Sequence, residues 1–358
     1  MTEKNGTRRK WMPLAVSMAV LCLLAAGCGT DHAPDTIKTV AAAEQPLEKT
    51  AWVVDWQWRA GADDLQGMTS GLTSVQMFAA YFDESDNLLF TERFQQGLPI
   101  VQEISRKSSL VHVDLTIVND QLRRDGSTQQ KDPAVVSRLL ATPESRKKHI
   151  DQIMAAVTTY DFHGVEIDYE QIADQDWPRV LAFYRELYQR LHEQDKTLRV
   201  VLEPRTPIEN ISLPEGPVYV MMAYNLHGPQ AGPGPKADRA FITELAKRMK
   251  KVPGEKVIAL SAGGFDWPEA GGGEVAALTE KQASELANSS LEMPRRDNAS
   301  GSLHFQYLDA DNRKHTVWYA DDTTLQTWAN LVREEGYRKI ALWRLGDLGK
   351  GSVRFMNE

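Results

Sequence analysis

The sequence predicts an α/β fold: a (β/α)8 TIM barrel carrying a small α+β insertion between strands seven and eight. Short apolar runs with frequent β-branched residues recur eight times between residues 51 and 346, each of a length that suits a buried strand. Amphipathic stretches of helical period lie between them, and that alternation is the pattern of a parallel barrel. A doubly wound open sheet is the alternative, but no Gly-rich phosphate loop follows an early strand.

The strand candidates are AWVVDW (51–56), SVQMFAAYF (74–82), LVHVDLTIV (110–118), GVEIDYE (164–170), LRVVLEP (198–204), PVYVMMAYN (217–225), KVIALSAGG (256–264) and KIALWRLG (339–346). Two helices carry start signals. In ATPESRKKHIDQIMAAVTTY, Thr142 is the expected cap and Pro143 the first-turn residue, and Ile150, Ile153, Met154 and Val157 follow at i, i+3, i+4 and i+7. In DWPRVLAFYRELYQRLHEQ, Asp176 is the expected cap, and Val180, Leu181, Tyr184, Leu187, Tyr188 and Leu191 form the expected buried stripe. Residues 266–338 interrupt the alternation. Within them SLHFQYLDADNRKHTVWY reads as a hairpin about an ADN turn, part of an insertion over the barrel mouth at about 266–322. A last helix is expected over residues 323–335.

The chain has 358 residues, a formal net charge of −8 and 42% hydrophobic residues, a globular composition. Its acidity, without any basic stripe interleaved with aromatics, argues against nucleic acid as a partner. The N-terminus is different. Lys4, Arg8, Arg9 and Lys10 precede an apolar stretch over residues 11–26, too short to span a bilayer comfortably, which is the pattern of a secretion signal. That region holds the only cysteines, Cys22 and Cys28, and ends in LLAAGCGT. The segment resembles a bacterial lipobox, with Ala25 where Leu is commoner, and the resemblance implies a diacylglyceryl thioether on Cys28. An ordinary signal peptide with an incidental cysteine is the alternative. The expected organisation is a lipoprotein signal peptide (1–27), a lipid-anchored flexible tether (28–50) and the barrel (51–358), displayed outside the cytoplasm on a bacterial cell membrane.

In YDFHGVEIDYEQI the acids Glu166, Asp168 and Glu170 occupy every second position, while Val165, Ile167 and Tyr169 alternate with them. On a strand the three carboxylates share one face. Buried without partners they would be costly. At the C-terminal mouth of a barrel, water, ligand and polar neighbours reach them, and that is where barrel active sites lie. Crowded carboxylates raise one another's pKa, so a Glu in this row is suited to act as a general acid near neutral pH. A half-exposed edge strand with an acidic solvent face is the plainer reading; strongly amphipathic helices on both sides argue for a central strand instead.

These residues carry a family resemblance. FHGVEIDYE resembles the glycoside hydrolase family 18 signature DGxDxDxE. VMMAYNLHGPQAGPG resembles the family's sixth-strand MxYD segment, SAGGFDW its seventh-strand segment, and HTVWYADDTTLQTWANLVREEGYRKIALWRLGDLG its closing stretch. The match is closest in flavour to the bacterial spore-cortex and germination branch. The resemblance implies that Glu170 is the proton donor. Asp168 would orient the substrate's acetamido group and share a proton network with Glu166, and Tyr224 would hydrogen-bond the acetamido oxygen. Trp343 would floor the sugar subsite beside the cleaved bond. It also implies that the substrate's own acetamido oxygen is the nucleophile. The sequence departs from the family at His163 and Glu166, where the signature has Asp, at Asn225, where the sixth strand has Asp, and in the third strand, which reads VDLTIVND without SxGG.

Glu203 and Arg205 follow the fifth strand and Asp55 and Trp56 end the first, so all are placed to line the mouth, and Trp267 to form part of the cleft wall; structural roles are the alternatives for each. His112 and His227 are not set with acids at metal-ligand spacing, so no metal or cofactor is expected. The expectation is a monomeric, lipid-anchored glycosidase for a β-linked polymer containing N-acetylglucosamine: peptidoglycan, spore cortex or chitin fragments. Two rivals stand beside it. One is a barrel that binds glycans without cleaving them. The other is a retaining glycosidase with a protein nucleophile, Glu203 or Asp266 paired with Glu170 at about 5–5.5 Å.

Overall fold

The structure, a computed structural model, describes residues 46–358 apart from 69, 109–110, 270–272 and 291. The signal peptide, Cys28 and the tether up to residue 45 lie outside the described residues. Among those described, eight parallel strands close a barrel: Glu48–Val54, Leu72–Phe82, His112–Leu122, Gly164–Asp168, Thr197–Leu202, Val218–Met222, Lys256–Ser261 and Lys339–Trp343. The first strand pairs with the eighth from Glu48↔Lys339 onward, and the second with the third from Ser74↔His112. All eight expected strands are present.

Two apolar layers hold the barrel. The outer one lies between strands and helices and takes Val165, Ile167 and Tyr169 from the fourth strand region; the inner one fills the bore with residues such as Val54, Val201, Val220 and Ala259. Thr142 caps the helix Pro143–Thr159 in a reciprocal capping box with Ser145. Asp176 does not cap Trp177–His192. A 3-10 turn, Asp174–Asp176, leads into that helix, and the Asp176 carboxylate instead accepts the Ser137 hydroxyl at 2.5 Å and Arg179 at 3.0 Å. Within the helix Val180, Tyr184, Leu187 and Leu191 are buried, while Leu181 and Tyr188 are half-buried.

The insertion begins earlier than residue 266. The run KVIALSAGG divides after Ser261, and a new strand, Gly263–Pro268, leaves the barrel to join an antiparallel sheet with Ala276–Leu278, Lys314–Ala320, Leu303–Leu308 and Arg295–Arg296. Glycines permit the break: Gly263 has φ +64°, and a Cβ on Gly264 would fall 1.7 Å from the Trp318 carbonyl oxygen. The expected hairpin is Leu303–Leu308 with Lys314–Ala320, and Asp309 accepts the Asp311 and Arg313 amides within its turn. Helix Glu280–Ser289 closes a small core of Ala283, Phe305, Val317 and Tyr319. The last connecting helix, Asp322–Glu334, starts at the Asp321 cap.

Candidate active site

Because parallel strands all point their C-terminal ends to one rim, residues at or just past those ends converge there. A cavity of about 670 Å³ opens at this rim. Asp168, Glu170, Tyr224, Asn225, Trp343, Asp55 and Trp56 all line it. Glu203 flanks it beside Glu170, and Trp267 and Arg205 are not among the lining residues.

Glu166 is the deepest of the acid row and is completely buried. Its neighbours in register are Thr116 on the third strand and Arg199 on the fifth. Oε1 accepts the Trp52 indole N–H at 2.5 Å and the Thr116 hydroxyl at 3.0 Å; Oε2 accepts Arg199 Nε at 2.9 Å in a buried ion pair. Among the described residues no hydrogen bond joins Glu166 to Asp168. Glu166 still acts on Asp168 through its charge, as one of the groups that raise the Asp168 pKa. The added methylene carries the carboxylate to Arg199, which engages it in the bore.

Asp168 ends the fourth strand, lines the cavity, and has one buried carboxyl oxygen, Oδ1, without a hydrogen-bond partner. Burial first, then Glu170 and Glu166, hold its pKa well above the ordinary carboxylate range. Glu170 lies two residues on. Its backbone is stapled by Asn119: the Asn119 Oδ1 accepts the Glu170 amide at 2.9 Å, and Nδ2 donates to the Glu170 carbonyl at 2.9 Å. Its carboxylate bonds Lys131 Nζ, and Glu203 is held beside it by the amide of Gln171, the next residue. Burial pushes Glu170 up to about 7, with Lys131 pulling against that rise and Glu203 adding to it.

Tyr224, two residues past the sixth strand, is almost fully buried, and burial with the nearby Asp168, Glu170 and Glu166 raises its pKa well above the usual phenol value. It therefore keeps its proton and is a donor. Trp343 ends the eighth strand and packs edge-on against Trp52 and Phe78, with centroids 5.8 and 5.0 Å away. Tyr224 lies roughly parallel to it at 6.5 Å. Trp56 is 44% exposed at the rim, so an apolar face is open to ligand.

Other candidates have structural partners. Asp55 accepts Tyr81 at 2.7 Å and Thr91 at 2.5 Å, so although it lines the cavity both oxygens are engaged. Asn225 is exposed with φ +63°. Trp267 is buried on the first strand of the inserted sheet and donates to the Ala231 carbonyl at 3.2 Å. Glu203 accepts the Gln171 amide at 2.6 Å, and Asp266 holds Tyr307 and His315 in the inserted sheet. His112 stacks on His163, and His227 bonds the Gly232 carbonyl. Lys131, Asn119 and Arg199 were not anticipated as site residues. Asn119 had a signal, the first polar residue after the apolar run of the third strand in VDLTIVND, but Lys131 meets Glu170 from 39 positions away, a contact no local pattern reveals.

A closed parallel barrel with a perturbed acid, an unpartnered carboxyl oxygen and aromatic faces at its mouth defines a barrel glycosidase. The chain belongs to the glycosyl hydrolases family 18, whose model matches residues 126–347; it is a glycoside hydrolase. It is 24% identical to an uncharacterized glycosylase, YvbX, of Bacillus subtilis (strain 168) over 60% of this chain and 67% of that protein. It is 27% identical to the cortical fragment-lytic enzyme of the same organism over 59% of this chain, a match that spans about half of that relative's length at 53%. The spore cortex-lytic enzyme SleL of Bacillus cereus shares the fold, with a TM-score of 0.72 at 19% identity over 87% of this chain and 74% of that one.

Proposed function

We propose that the protein hydrolyses a β-linked glycan containing N-acetylglucosamine by substrate-assisted catalysis with retention. One observation carries the reading: Asp168, with its unpartnered oxygen, lines the same cavity as a near-neutral Glu170 and a protonated Tyr224. A carboxyl oxygen accepts in either protonation state, so Asp168 is suited to take the acetamido N–H. Tyr224 donates to the acetamido oxygen, Trp343 supports the ring, and Glu170 protonates the departing glycosidic oxygen. The acetamido oxygen attacks the anomeric carbon, and water, deprotonated by Glu170, opens the resulting ring.

The two-carboxylate alternative lacks support. Glu203 is engaged by the Gln171 amide, and Asp266 is committed to the inserted sheet. A non-catalytic barrel would have no use for the intact acid at Glu170. The relative named for cortical fragments favours peptidoglycan or cortex over chitin, and secretion with a lipid on Cys28 would place the enzyme against such a wall, as a monomer needing no cofactor. Cys28→Ala is expected to move the protein out of the membrane fraction; unchanged retention and mass would refute the anchor.

The test of the function is to incubate the protein with peptidoglycan, cortex and chitin oligomers, and to identify products by mass. A thiazoline mimic of the ring intermediate should inhibit far more strongly than the parent sugar, as transition-state analogues do. Covalent labelling of a carboxylate by a 2-fluoro glycoside, with no inhibition by the thiazoline, would overturn this mechanism.

A further inference from the structure

With Glu166 committed to Arg199, Trp52 and Thr116, the fourth strand offers Asp168 no partner below it. The charged groups that meet Glu170 come instead from the rim. Lys131 bonds its carboxylate, and the lysine is itself placed by a built loop. Its amide donates to Asp120 Oδ1 at 2.8 Å, its backbone is left-handed at φ +51°, and Asp132 beside it is tied to Asn119 by two hydrogen bonds. Asn119 is the residue that also grips both backbone groups of Glu170. Loop and acid thus share one staple. Glu203, just past the fifth strand, is fixed by the amide of Gln171, the residue after Glu170, and its charge acts on Glu170.

We propose that Lys131 and Glu203 are a pair of opposed positioning residues that govern when Glu170 carries its proton. This rests on Glu170 being the acid. Burial alone would favour loss of the lysine's proton, but Glu170, Asp168 and Glu203 keep it above its ordinary value, so it remains a cation. An ammonium against a carboxylate stabilises the charged form that Glu170 takes after giving its proton to the leaving oxygen, and the form it needs as a base in the second step. Glu203 does the reverse and favours the protonated form that begins the cycle. Asp168 on the same strand and Tyr224 from the sixth also face Glu170, and Arg93 and Asp120 line the same cavity; all are retained in the variants below.

The experiment uses the full chain labelled with 13C at glutamate side-chain carboxyls, with Glu170 assigned through Glu170→Gln. Lys131→Met should raise the Glu170 titration midpoint, and Glu203→Gln should lower it, each by about one pH unit or more for a charge in contact. Lys131→Arg should restore nearly the wild-type titration. With an N-acetylglucosamine tetramer as substrate, the alkaline limb of kcat/KM should move in the same opposite directions. Unmoved midpoints, or shifts of the same sign in both variants, would overturn the proposal. If the tetramer is not cleaved by any form, the glycosidase reading of this substrate fails, and the carboxyl titration in the unliganded protein still decides the role of the pair.

Discussion

At Glu166 a single carboxylate meets groups from the first, third and fifth strands, and its value lies in that arrangement rather than in proton transfer. Arg199→Met would leave the charge buried and unpaired, which costs roughly 3–5 kcal/mol. Denaturant unfolding should show that loss, and Glu166→Leu combined with Arg199→Met should recover most of it, because no orphan charge remains. Glu170→Gln keeps the shape of the acid without its transferable proton; glycan turnover should fall by about 10²–10⁴-fold with sugar binding kept, and full activity would remove Glu170 from the mechanism. At this scale the sequence was informative where chemistry follows a period. Alternation alone put Glu166, Asp168 and Glu170 on one face, and the family match added Tyr224 and Trp343, which line one cavity with the latter two. It could not show that Glu166 faces Arg199, because cross-strand register is decided by the closed sheet, nor that Trp267 belongs to the inserted sheet.

Helices and strands were legible wherever one face had to be buried. The eight barrel strands stand out because both of their faces are covered, and Thr142 announced its helix. The misread elements are those governed by short-range competition. At Asp176 the side chain finds Ser137 and Arg179 more readily than the helix amides, and after Ser261 two glycines let the chain leave the barrel before the apolar pattern changes. The helix Glu280–Ser289 also carries a titratable weak point. Glu280 is 7% exposed, with one unpartnered oxygen, and burial raises its pKa to about 6 against the nearby Ser352 hydroxyl and Gly349 amide. A carboxyl whose folded pKa lies above its unfolded value penalises the native state once it ionises, so the penalty sets in as pH rises from the ordinary Glu range through about 6. Glu280→Gln should therefore stabilise the protein at pH 8, by up to about 2 kcal/mol, and change little at pH 4. Thermal midpoints at the two values provide the measurement; an equal change at both would exclude ionisation as the cause.

For the molecule as a whole, strand–helix alternation implied a parallel sheet, but closure is a property of all eight strands together, sealed by Glu48↔Lys339. The Glu166 cluster has a mechanical meaning in that ring. A hoop of hydrogen-bonded strands deforms most easily by flattening into an ellipse, and a rigid strut across its bore opposes that mode. Trp52, Thr50, Thr116, Glu166 and Arg199 together make such a strut, since Arg199 also reaches the Thr50 hydroxyl at 3.4 Å. The aperture at the rim, and with it the spacing between Trp343 and Glu170 across which a sugar must fit, is held by stiffness lying below the site. Cutting the strut with Arg199→Met should accelerate amide hydrogen exchange in the first, third, fourth and fifth strands together, leaving the inserted sheet at its former rate; exchange confined to the fifth strand would mean that the ring stays round without it.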